Sequence, residues 1–78
     1  AHERATEAML MGLRLTEGID LARIEVRSGL LRDAFVDEGA VARLVGQGLM
    51  RVEGDRLMVT DAGILLLDSI LSEVVRTS

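Results

Sequence analysis

Few side chains in this chain have the chemistry of a reaction centre. The single histidine, His2, sits at the extreme N-terminus. A fraying helix end cannot hold an imidazole in one geometry, so His2 reads as neither metal ligand nor general base. Without a positioned histidine, no Ser/His/Asp arrangement can be assembled. There is no cysteine, which removes disulfides, thiolate metal sites and iron–sulfur ligation from these residues. Asp33, Asp37 and Glu38 lie close together, but such a cluster is more often a solvated face than a metal site. Met9, Met11, Met50 and Met58 suit gap-filling core or interface positions better than haem ligation. Gly46 and Gly48 lack the preceding strand and following helix of a phosphate-binding loop. The residues therefore predict no catalytic group, no metal and no cofactor held by this chain alone.

The charge balance narrows the partners. The 78 residues, read as one small domain over 1–78, carry nine arginines, no lysine and thirteen acidic residues, for a net charge of −4. Neutralising phosphates needs a clustered basic face, so the balance argues against a nucleic-acid partner. It argues equally against an anionic membrane surface. No run reaches the apolar length of a membrane span, and no secretory leader is visible. The chain opens with Ala1 directly in helical sequence, which reads as a C-terminal fragment of a longer cytoplasmic protein. A domain of this size buries only about 60–65% of the surface its unfolded chain exposes. Yet 49% of its residues are hydrophobic, with Phe35 the only aromatic, and the mean hydropathy is +0.31. That excess predicts an apolar face covered by the rest of the parent protein.

The elements follow from periodicity. Residues 2–14 read as a helix with Ala5, Ala8, Met9, Gly12 and Leu13 on one arc and Leu15 at its edge. Leu10 and Met11 break that pattern and flank Arg14 on the polar side. Thr16, Glu17 and Gly18 break the helix, with Thr16 as a cap for the next. A second helix is expected over 19–28, with Ile19, Ala22 and Val26 inward and Asp20 in its first turn. Residues 30–36 form a short apolar connection anchored by Phe35. A third helix over 37–47 places Val41, Leu44 and Val45 on one face. A hairpin follows, 49–53 against 56–59, with Gly54-Asp55 as a type II′ turn and Met50, Val52, Leu57 and Val59 inward. Thr60 then caps a long final helix over 61–75. Its apolar half is Ile64, Leu66, Leu67, Ile70, Leu71, Val74 and Val75, and Leu65 alone is misplaced. The fold class is mainly α with a small β-hairpin (α+β), in a winged-helix-like order of three helices, a two-stranded wing and a long C-terminal helix. As a DNA reader, its recognition helix would offer Arg43 but present Asp37 and Glu38 to phosphate, which electrostatics disfavours.

The run Glu7-Ala8-Met9-Leu10-Met11-Gly12-Leu13-Arg14-Leu15-Thr16-Glu17-Gly18-Ile19-Asp20 resembles the opening of the C-terminal domain of the oxygen-independent coproporphyrinogen III oxidase and haem chaperone family. Leu44 through Gly48-Leu49, then Leu57-Met58-Val59-Thr60-Asp61-Ala62-Gly63, then Leu67-Asp68-Ser69-Ile70 extend the resemblance over nearly the whole chain. Ile24 stands where many relatives have an aromatic. The resemblance implies a parent with an N-terminal radical barrel domain that holds S-adenosylmethionine and an iron–sulfur cluster on three cysteines. Family oxidases convert two propionates of coproporphyrinogen III to vinyls by oxidative decarboxylation. It also implies that the C-terminal domain packs on the barrel and helps to close the substrate site, with a tetrapyrrole or haem as a further partner.

On that reading the residues without work inside this domain become the interdomain and substrate-side candidates: Leu10, Met11 and Leu65 for apolar contact, Arg14 and Glu17 for polar contact. Arg14 could pair on the surface with Asp20 or Glu7, or reach a barrel carboxylate or a substrate propionate as a two-pronged clamp. The alternatives are a haem chaperone of the same family and a winged-helix module for protein interaction or DNA binding.

Overall fold

The computed structural model describes residues 2–76. The reading of the His2 side chain lies outside the described residues. In chain order the elements are α1 (His2–Gly12), β1 (Ile19–Asp20), α2 (Leu21–Ser28), a 3₁₀ turn (Arg32–Ala34), α3 (Glu38–Gly46), β2 (Met50–Glu53), β3 (Arg56–Val59), α4 (Asp61–Ile64) and α5 (Leu67–Val74). The three strands form one antiparallel sheet in the order β1-β3-β2. The protein is thus α+β and mainly helical, as the periodicity predicts. It differs in having a third strand and a divided C-terminal helix.

The third strand comes from the start of the expected second helix. Ile19 pairs with Leu57 and Asp20 with Arg56, so the helix begins at Leu21. Asp20, not Thr16, is its cap: Asp20 Oδ1 accepts the Arg23 amide at 3.2 Å. The shift by two residues rotates the buried face. Leu21 and Ile24 point into the core, whereas Val26, expected inward, is 83% exposed. The first helix also ends two residues early, at Gly12, and Leu15 and Gly18 amides close two tight turns onto the Gly12 and Leu15 carbonyls at 3.0 Å each.

Glycine makes this reversal possible. A Cβ at Gly12 would overlap the Ile19 side chain, and one at Gly18 would overlap the Leu57 carbonyl oxygen. Gly18 also holds φ at +73°, which side chains with a Cβ rarely adopt. The joint is thereby pressed against both α1 and the central strand.

The hairpin forms in the expected register, Met50 opposite Val59 and Glu53 opposite Arg56, around Gly54-Asp55. Among the described residues φ is positive at Gly54 and at no non-glycine residue, which fits the II′ turn. Alternation puts Val52 on the same face as Met50 and Leu57, but β2 is the edge strand. Val52 overhangs a groove with Val41 and Val45 and remains exposed. Val45 is likewise exposed, and Ala40 takes its expected place beside Val41 and Leu44 in the core. Asp37 caps α3 through the Ala40 amide at 3.1 Å.

The final helix is divided for a packing reason. Thr60 Oγ1 accepts the Gly63 amide at 3.1 Å and donates to the Gly48 carbonyl at 2.7 Å. This fixes α4 on the start of β2, so close that a Cβ at Gly63 would overlap the Leu49 carbonyl oxygen. α5 must instead lie along α3, where Arg43 Nη2 meets Glu73 Oε1 at 2.6 Å. One straight helix cannot satisfy both. The chain bends at Leu66 (φ −118°, ψ 24°), whose amide closes a short turn onto Gly63 at 2.8 Å. α5 then buries Ile70, Leu71 and Val74, while Ile64 and Leu66, expected in the core, are exposed in the elbow.

The core joins all layers: Met9 and Leu13 from α1, Phe35 and Val36 from the connection, Leu44, Met50, Leu57 and Ile70. Phe35 is fully buried, as expected of its anchor role. The chain end is tied in by Asp37 N to the Val74 carbonyl (2.8 Å) and Arg76 N to the Phe35 carbonyl (3.0 Å). Arg32 links three elements. Its Nη2 reaches Glu25 Oε1 at 3.1 Å and Asp55 Oδ1 at 3.0 Å, and its amide donates to Glu25 Oε2 at 2.9 Å. Partial burial opposes the guanidinium charge, but the bonds to Asp55 and Glu25 outweigh it and raise the pKa above its ordinary value.

Gly63→Ala should cost about 2–3 kcal/mol through overpacking against β2. That corresponds to roughly 10 °C or more in Tm for a domain this small. Gly46→Ala, which meets no neighbouring atom, should be neutral or stabilising by up to about 1 kcal/mol. Thermal denaturation of the two variants side by side checks the contrast. Arg32→Ala should cost about 1 kcal/mol, because Asp55 is largely solvated and screening weakens its share. Repeating the melt in high salt should shrink that loss.

Candidate functional site

The five candidates do not all share one fate. Leu10 is half-buried and packs on the core. It also lines a groove between α1 and α5 with Thr6, Arg14, Asp68, Leu71, Ser72 and Val75. Met11, one residue on, points outward and is 72% exposed. Arg14 folds back on its own helix: Nε donates to the Leu10 carbonyl at 3.1 Å. A guanidinium there satisfies an orphan carbonyl of the last turn and complements the helix dipole. It pairs with neither Asp20 nor Glu7 among the described residues, and its terminal nitrogens enter no bond there. They remain available beside Asp68. Glu17 is exposed, and its carbonyl accepts Arg56 Nη1 at 2.9 Å. Leu65 lies in the elbow and is 85% exposed.

Two grooves bring residues of the joint together with residues on either side of the elbow. Arg14 shares the first with Asp68. Thr16 shares a second with Asp61 and Ala62, together with Gly48, Arg51 and Met58. Residues 14–16 therefore face the segment 61–68, with Leu65 between the two grooves in sequence. Leu15, Ile64 and Leu66 add further exposed apolar surface along these segments. The surface is mixed: exposed apolar side chains lie beside Arg14 and Asp68 in one groove and Arg51 and Asp61 in the other. It offers contact area and one guanidinium with free donors.

Of these exposed apolar residues, Ile64 and Leu66 are ones that periodicity assigned to the core. The signal was present: Ile64-Leu65-Leu66-Leu67 is a run of four large apolar residues, which no single helix face can bury. Together with a threonine cap and a glycine just before it, such a run marks an interrupted helix.

Among the described residues, no group of three His, Asp or Glu side chains could hold a metal ion. No helix is long and apolar enough to cross a membrane. The cation of the would-be recognition helix, Arg43, is engaged by Glu73.

Among curated proteins, and among solved structures, the sequence finds no match. Among family models, that of the HemN C-terminal domain matches residues 1–66. The matched span takes in the joint, the sheet and the elbow, and α5 lies beyond it. A match over most of its length makes this chain a member of the HemN C-terminal domain family.

Proposed function

We propose that the chain is the accessory C-terminal domain of an oxygen-independent coproporphyrinogen III oxidase-like protein, and that it docks on and covers the catalytic barrel of that protein. S-adenosylmethionine and the iron–sulfur cluster belong, on this reading, to the barrel and not to this domain. One observation carries the docking role: the large apolar side chains left exposed at the joint and the elbow, with Met11 and Leu65 at 72% and 85% exposure. Large apolar side chains left exposed on so small a domain mark an interaction surface. The family match, to a C-terminal domain, supports a covering role. Closing a barrel mouth with apolar side chains expels water from the reaction site, and Arg14 supplies a fork for a carboxylate at its rim.

The intact protein provides the test. Placing a charge at Leu65 removes one buried leucine contact, worth about 1.5–3 kcal/mol, from the interface. Leu65→Glu should therefore lower kcat/KM for coproporphyrinogen conversion at least about tenfold. Val26→Glu, equally exposed but on α2, should leave it unchanged. Equal behaviour of the two variants contradicts the assignment of this surface.

A further inference from the structure

A second surface is lined by other residues of α1. Between α1 and α2 is a cleft of about 220 Å³, lined by Arg4, Ala5 and Ala8 on one side and Ile24, Arg27 and Ser28 on the other. Its floor is apolar: Ala5 and Ile24 are buried and Ala8 half-buried. The alanines are what leave the space open, since a longer side chain at either position would fill it.

The cations at this cleft, Arg4 and Arg27, have no partner among the described residues. Arg32, Arg43 and Arg51 are engaged by carboxylates, and Arg14 and Arg56 by backbone carbonyls. The guanidiniums of Arg4, Arg23, Arg27 and Arg76 enter no hydrogen bond or ion pair among the described residues. Three of these four sit on α1 and α2. The acidic residues of the two helices do not neutralise them. Glu25 is held by Arg32, Asp20 caps α2, and Glu3 and Glu7 are exposed and enter no ion pair among the described residues. Ser28 Oγ accepts the Leu30 amide at 3.2 Å, which leaves its hydroxyl proton free to donate.

We propose that the α1–α2 cleft binds a small aliphatic carboxylate. Arg4 and Arg27 take the carboxylate from opposite walls, and the alkyl arm lies on Ala5, Ala8 and Ile24. The planar forks match a carboxylate in geometry and charge. The apolar floor favours an acid with a short alkyl arm over a bare anion. A cation is repelled by the same pair. The site does not depend on the docking role: Arg4 is seven residues before Met11, roughly 10 Å along the helix.

Butyrate is the probe, titrated into the ¹⁵N-labelled protein while amide and arginine Nε–H signals are followed. Saturable shifts are expected at Ala5, Ala8, Ile24, Arg27 and Ser28. Binding should weaken at least about tenfold in the Arg4→Gln/Arg27→Gln double variant, with the Met9 and Leu13 signals reporting an unchanged fold. Acetate, which lacks the arm, should bind more weakly. The proposal is overturned if no saturable shift occurs, if the double variant binds butyrate as well as the parent, or if butylammonium moves the same signals. Inorganic phosphate binding as tightly as butyrate also overturns it, because the floor would then contribute nothing.

Discussion

The structure depends on how closely the chain can approach itself at one reversal. Ile19 occupies the space that a side chain at Gly12 would need, and the Leu57 carbonyl occupies the space next to Gly18. These contacts let two residues, Ile19 and Asp20, serve as a strand immediately before they launch a helix. Once β1 is held against β3, the remaining links follow. The Leu21 amide reaches the Asp55 carbonyl at 2.8 Å and ties α2 to the hairpin tip. Arg56 reaches back to Glu17, and Arg32 joins Glu25 to Asp55. A sheet of such short strands is marginal by itself, so it stands only because the joint and the helices hold it.

The parts of this fold that were legible in the sequence are those where a period or a turn signal had room to express itself. α1 and α3 each run for two turns or more with one apolar stripe, and Gly54-Asp55 set the hairpin register. β1 was not legible, because two residues carry no period and Ile19 fits a helix pattern equally well. That error propagated: moving the start of α2 exchanged Val26 for Leu21 and Ile24 in the core. The elbow was hidden differently. A helical wheel over 61–75 assumes one axis, and the pull of β2 on Gly63 against that of α3 on α5 is a tertiary conflict no wheel contains. Val52 was placed on the correct face, but its exposure depended on β2 being an edge, which is a property of strand order.

The candidate site was legible in part and for an identifiable reason. Met11 and Leu65 stood out as apolar residues off their helices' core arcs, and both are among the most exposed large side chains of the molecule. Leu10 stood out by the same rule yet packs on the core, because α5 approaches α1 on that side. Arg14 was expected to find a carboxylate and instead caps its own helix. Its free nitrogens and the unpaired arginines of the α1–α2 cleft share a logic. In a chain with more acids than bases, cations left without acidic partners sit where something from outside the domain can reach them. The two surfaces are lined by different residues of α1, Arg4, Ala5 and Ala8 for one and Thr6 and Leu10 for the other, so covering one does not require covering the other.

The central claim is that the joint and the elbow form a surface buried by the rest of the protein. Oxidative footprinting reads this directly, because methionine and leucine side chains are modified according to their exposure. Met11 and Leu65 should react rapidly in the isolated domain and slowly in the intact protein, with Val26 equally reactive in both. Met9 and Met50 should stay protected throughout, reporting that the fold persists. Equal rates for Met11 and Leu65 in the two forms would contradict the account.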